Sequence, residues 1–146
     1  MLPITSVLHP TDFSDRSEPA FHIARSLARD YAAKLYLLHV VPYTSFGALE
    51  GAPSDAPERE REAKQMLHKL AAEVPGVPVE TAVVLGQAAE DTVAFAAKHK
   101  IDVIVLGTHG HTGLSRLLMG SVAEHVLRDA PCPVLTVRKP FPRATT

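Results

Sequence analysis

Long apolar runs are missing from this 146-residue chain, and it holds one cysteine, Cys132. No stretch approaches the roughly 18 apolar residues that a membrane-crossing helix needs, so no membrane association is expected. A lone cysteine closes no internal disulfide, which sets aside the disulfide-stapled scaffolds and fits a reducing compartment. Residues 1–10 carry neither a basic stretch nor a long apolar one, so the expectation is a cytoplasmic protein without a secretory signal. A surplus of charge is missing too: 15 Lys and Arg against 16 Asp and Glu leave a formal net charge of −1. Affinity for duplex DNA rests largely on cationic neutralisation of phosphates, so no nucleic-acid partner is expected. Eight histidines make the real charge depend on pH near neutrality.

Apolar residues at 46% and charged residues at 21% give the balance of a soluble globule. The length suits one domain spanning 1–146. Residues 4–9 form a short β-branched, apolar run stopped by Pro10, which reads as a strand. Ser17, Glu18 and Pro19 suit a helix start. Phe21, Ala24, Leu27, Ala28 and Tyr31 follow at helical spacing. Residues 34–41 are almost continuously apolar, as in a strand covered on both faces. Residues 42–57, rich in Pro, Gly, Ala and Ser, read as a long loop, either a flexible lid or a tolerated surface insertion. A helix opening at Pro57 places Ala63, Met66, Leu67, Leu70, Ala71 and Val74 on one face. Its alternating charges at 58–62 read as a solvated side.

Strands over 79–85, 101–106 and 134–137 and helices over 88–98 and from Ser121 complete the pattern. The tail from Lys139 reads as frayed, with Arg138, Lys139 and Arg143 solvated. Strict β-α alternation implies right-handed crossovers and an open, five-stranded parallel sheet with helices on both faces, an α/β, Rossmann-like class. In such sheets ligands sit beyond the carboxyl ends of strands, where the winding reverses. Two strand ends carry unusual chemistry: His9-Pro10-Thr11-Asp12 and Gly107-Thr108-His109-Gly110. As neighbours they would mark that crevice.

Residues 107–121 read GTHGHTGLSRLLMGS. A glycine directly after a strand lets the chain turn sharply, reach positive φ or approach a ligand without a Cβ. A Gly-Ser pair opening a helix offers N–H groups and a hydroxyl at the positive end of the helix dipole, which suits phosphate. Thr108, Thr112 and Ser115 add hydroxyls and Arg116 a charge. Neither G-x-x-x-x-G-K-[ST] nor G-x-G-x-x-G after the first strand is present, so the P-loop and dinucleotide fingerprints are excluded. On spacing alone, these glycines fit turns and caps as well as a phosphate cradle.

The segment resembles the ATP-binding signature of the universal stress protein family, G-x2-G-x9-G-[ST], at every fixed position: Gly107, Gly110, Gly120 and Ser121. Residues 9–14 (HPTDFS), 38–40 (LHV) and 131–135 (PCPVL) resemble the family's two strand ends and its last strand entry, so the likeness runs through the chain in order. The resemblance implies an adenine nucleotide alpha hydrolase-like fold and the family's ATP-binding branch. It implies that Pro10, Thr11 and Asp12 border the adenosine, that Val40 meets adenine and that Leu106 and Gly107 flank the ribose. Gly110, Gly120, Ser121 and Val122 would hold the triphosphate, with Mg²⁺ or Mn²⁺ riding on it. It further implies a stress-response role and a homodimer paired through Val134–Val137.

Asp12 equally suits a turn cap, and His39 a hydrogen-bonded core position. His9, His39, His109 and His111 are a weak zinc set, since His109 and His111 stand only two apart. Cys132, between two prolines, reads as a buried structural thiol and Met119 as packing. The leading expectation is a nucleotide-dependent regulatory module with at most slow ATP hydrolysis, since no general base or Lys clamp is evident. Two other classes stay open. One is an ATP hydrolase or nucleotidyl-transfer enzyme, disfavoured because no S-G-G-x-D-S-type loop follows the first strand. The other is a nucleotide-independent dimeric scaffold. The inducing stress, the downstream partner and the resident nucleotide are not readable from the chain.

Overall fold

The computed structural model describes residues 1–43, 55–108 and 119–139. Among these, strands β1 (Ser6–Pro10), β2 (Lys34–Pro42), β3 (Val79–Gly86), β4 (Val103–Gly107) and β5 (Val134–Val137) alternate with helices. The helices are α1 (Glu18–Asp30), α2 (Ala56–Ala72), α3 (Ala88–Lys98) and α4 (Ser121–Asp129). All pairings are parallel, in the order β3-β2-β1-β4-β5. The expected α/β class and strand count hold.

Period-2 alternation along strands buried on both sides separates two apolar layers. Val7, Leu35, Leu37, Val103 and Val105 face one way, packing with Phe21, Ala24 and Ala28 of α1 and Leu67 of α2. Leu8, Leu38, Val40, Ile104 and Leu106 face the other way, against Ala96 of α3 and Ala123 and Val126 of α4. Each fully buried leucine contributes about 1.5–3 kcal/mol over its exposed state.

Several boundaries move for identifiable reasons. β1 starts at Ser6, not at residue 4. The Thr5 amide and hydroxyl both donate to Asp102 Oδ2 at 2.8 Å, so that amide takes no strand partner, while the Thr5 carbonyl still accepts from Lys34 N at 3.0 Å. β4 starts at Val103: Ile101 N still donates back to Ala96 O at the end of α3, and Asp102 N, donating to Ser6 O, makes the first bond toward β1. Met66 was expected on the buried face of α2. It is 42% exposed, on the flank of the stripe that Ala63 and Leu67 bury. Cys132 is half-buried, not buried. Its thiol is pushed up, first by burial and then by the Asp102 charge, so it makes a poor nucleophile. Met119, expected to pack, is 37% exposed. Arg138 and Lys139 are exposed as expected, while Arg143 and residues 44–54 of the proposed lid lie outside the described residues. Among the described residues no helix is long and apolar enough to cross a membrane.

Candidate functional site

The central pair of strands parts at its carboxyl end. β1 and β4 are registered only through Val7↔Val103 and Leu8↔Ile104. Beyond that, β1 stays with β2 as far as Pro10↔Leu38, and the ladder continues as Thr11 N donates to Leu38 O at 2.9 Å. β4 stays with β5 as far as Gly107↔Val137, and Thr108 N donates to Val137 O at 3.2 Å. The chain winds outward in opposite directions from these two strands, so their diverging ends leave a crevice at the switch point.

That crevice is a cleft of about 530 Å³, inside the range of small-molecule sites. Pro10, Thr11 and Asp12 line it from the end of β1, Val40 from β2, Leu106 and Gly107 from β4, and Gly120, Ser121 and Val122 from the start of α4. The structure thus brings together nine of the ten residues singled out in the sequence. Gly110 lies outside the described residues, as do His109, His111, Thr112, Ser115 and Arg116. Thr108 also lines the cleft.

The glycines act differently from the expectation. Gly107 does not need positive φ. A Cβ on it would lie 2.9 Å from the Arg16 carbonyl oxygen, so glycine is required for the close approach of the segment entering α1. Gly120 has φ −63°, and its amide is already donated to Thr108 O at 2.6 Å. It therefore ties α4 to the end of β4 instead of offering a free donor. The first amide used inside α4 is that of Glu124, donated to Gly120 O. The amides of Ser121, Val122 and Ala123 then have no acceptor within the helix, and among the described residues no side chain caps it. These are the donors that α4 points toward the cleft.

Asp12 makes the turn bond that one of its two readings expects. It lines the cleft, and its Oδ1 accepts from Ser14 N at 2.9 Å. Thr11 Oγ1 accepts from Phe13 N at 3.0 Å, and Phe13 sits at φ 64° in the left-handed region. A non-glycine residue there is uncommon, and the two side-chain bonds offset its cost. The sequence suits His39 to a hydrogen-bonded core position, and the bond is present although the core position is not. His39 is half-buried and lines the cleft; its Nδ1–H donates to Thr11 O at 2.8 Å and its ring lies on Phe13. Sequence reasoning also passed over Leu38, Pro42, Arg59, Ala88, Thr92 and Ala123 as lining residues. Leu38 and Pro42 flank a strand end already singled out, whereas no sequence signal points to Ala88 or Thr92.

Below the floor, His9 is completely buried beside Phe21. Its Nδ1–H donates to Val105 O at 2.8 Å, just past the last β1–β4 ladder pair. Its Nε2 is buried without a partner. Burial pushes its pKa down to about 4, opposed by the Val105 bond and by the Asp12 charge. The ring is therefore a neutral spacer between the parting strands.

A model of the universal stress protein family matches residues 3–138. The universal stress protein MJ0531 of Methanocaldococcus jannaschii is 41% identical over 140 residues, covering 92% of this chain and 82% of its own length. MJ0577 of the same organism is 30% identical over 91% of this chain and 94% of its own. The solved MJ0577 structure superposes with a TM-score of 0.85 at 29% identity, covering 97% of this chain and all of that one. A universal stress protein of Archaeoglobus fulgidus solved in complex with dAMP gives a TM-score of 0.64 over 93% of this chain and 98% of that one. At 24% identity its likeness is one of fold. Motif, fold and relatives agree, and the chain belongs to the universal stress protein family.

Proposed function

We propose that this chain is an ATP-binding stress-response module in which the nucleotide serves as a regulatory ligand. The observation that carries the reading is the uncapped start of α4. The amides of Ser121, Val122 and Ala123 and the Ser121 hydroxyl stand at the positive end of a helix beside the crevice, where an anion is favoured. With phosphates there, the rest of a nucleotide lies across the end of β1 toward β2, along Pro10, Thr11 and Val40. The glycine signature of residues 107–121 supports the same placement, as does a fold neighbour solved in complex with dAMP. Mg²⁺ or Mn²⁺ would be carried by the phosphates, since Asp12 is the one carboxylate among the described lining residues and its Oδ1 already accepts from Ser14 N.

Hydrolysis is slow at most in this reading. Phosphoryl transfer needs both a positioned nucleophile and charge stabilisation, and the described lining residues supply mainly neutral donors. Isothermal titration with Mg-ATP is expected to give saturable, one-site binding. A folded sample that takes up no nucleotide at millimolar concentration overturns the proposal.

The same reading includes a homodimer. β5 ends the sheet, and Leu135 on it is 40% exposed. Among the described residues no strand pairs with the outer edge of β5; such an edge invites pairing with another chain, and a second copy of β5 satisfies it by symmetry. Light scattering is expected to give twice the chain mass, and Leu135→Lys to shift it toward the monomer. A monomer mass for the parent chain removes the dimer.

A further inference from the structure

We propose that Arg59 is a base-end binding residue of the nucleotide cleft, its guanidinium meeting the purine instead of the phosphates. This rests on the nucleotide reading above and deepens it. The charge-rich start of α2 reads in the sequence as a solvated helix face, yet Arg59 lines the cleft. Among the described lining residues it is the one Lys or Arg.

Its place in the fold separates it from the phosphate donors. α2 follows β2 and packs on β2 and β3. The cleft's other lining residues on that side are Val40 and Pro42 from the end of β2 and Ala88 and Thr92 from the start of α3. The uncapped amides of α4 stand beyond the end of β4, with β1 between. Two strand spacings separate β2 from β4, about 10 Å. A nucleotide whose phosphates sit on α4 therefore presents its base, not its charge, to Arg59. A guanidinium is suited to that target: it is planar, weakly hydrated and stacks on aromatic faces.

Recruiting it costs little. Its partner in the helix is Asp55, at 4.0 Å, and the Asp55 side chain is 66% exposed. An exposed pair at that distance contributes almost nothing, so a base can draw Arg59 inward without breaking a strong contact.

The test is titration of adenosine, AMP and Mg-ATP into the parent chain and into Arg59→Ala, Arg59→Lys and Asp55→Asn. Arg59→Ala is expected to weaken all three ligands by the same factor, about tenfold on the cation–π scale. Arg59→Lys should recover only part of the loss, and Asp55→Asn should leave binding unchanged or tighter. Each variant's melting temperature without ligand shows that the fold is intact. A loss confined to ATP would place Arg59 on the phosphates and overturn the inference, as would unchanged binding of all three by Arg59→Ala. If the parent chain takes none of the three, the nucleotide reading fails and the inference goes with it. If the parent binds and Arg59→Ala binds equally well, only the inference fails.

Discussion

Ser121→Asp is expected to fold at least as well as the parent chain while losing Mg-ATP affinity by about two to three orders of magnitude, and the two effects have one cause. Ser121 is the first residue of α4, it is exposed, and among the described residues no side chain caps the helix start. A carboxylate there is favoured by the helix dipole by about 0.3–1 kcal/mol, and it accepts from the same amides that would otherwise meet phosphate. It therefore blocks the ligand twice, by occupying the donors and by repelling the charge. Two like charges 4 Å apart at an effective dielectric constant of 20 oppose each other by about 4 kcal/mol, nearly a thousandfold in binding. Ser121→Ala removes one hydroxyl and is expected to cost roughly tenfold or less. Thermal shift separates the effects: ligand at a hundred times its dissociation constant adds about 2.7 kcal/mol to a binder and nothing to a non-binder. Unchanged ATP affinity in Ser121→Asp would mean that the phosphates do not lie at α4.

Much of this architecture is legible in the chain because the inner strands are buried on both faces. Runs such as 34–41 and 101–106 are then apolar enough to stand out, and punctuation by Pro10, Gly86 and Gly107 marks where they stop. The helix over Ala88–Lys98 and the last strand, Val134–Val137, fall where the pattern places them. The ends that moved are set by long-range bonds invisible to a local pattern: Thr5 to Asp102, 97 positions apart, delays the start of β1.

The same limit applies to the cleft. Its glycines are recognisable by spacing, but the reason for Gly107 is a backbone oxygen, that of Arg16, which arrives from another segment. The sequence suggests a free amide at Gly120, yet its N–H is committed to Thr108 O. Arg59 was legible only as one charge among several on a helix face, because nothing local says which side of α2 meets the end of β2. His39 lies inside an apolar strand, and its bond to Thr11 O depends on the fold of the turn after β1.

His9 carries the other large expected effect, a loss of folding stability of about 3 kcal/mol between pH 6.5 and pH 4. An unfolded histidine titrates near 6.5, whereas the buried ring in the folded chain titrates at about 4. Between those values the unfolded chain binds a proton that the folded chain refuses, so stability falls as pH falls. Above 6.5 both states are neutral and the full contribution is present; below 4 both are protonated and no more is lost. A gap of about 2.5 units at 1.36 kcal/mol each gives the magnitude, a large share of the 5–15 kcal/mol of a typical domain.

The cause is geometric. Nδ1–H is committed to Val105 O, so an added proton goes to Nε2, which is buried with no acceptor. Asp102 does not obscure this window. Bonds from Thr5, and then Ser6, hold its carboxylate below the usual range, so its contribution is intact above the ordinary carboxylate pKa of about 4 and disappears only in stronger acid. Urea unfolding at intervals from pH 7.5 to 4.5 reads the slope. His9→Asn keeps an N–H near the Nδ1 position but cannot titrate. It is expected to be less stable at pH 7.5, through lost packing against Phe21, and to show a much flatter profile down to pH 4.5. A variant that loses stability with acid as steeply as the parent would show that the proton goes elsewhere and that the ring between β1 and β4 is not what makes this fold acid-sensitive.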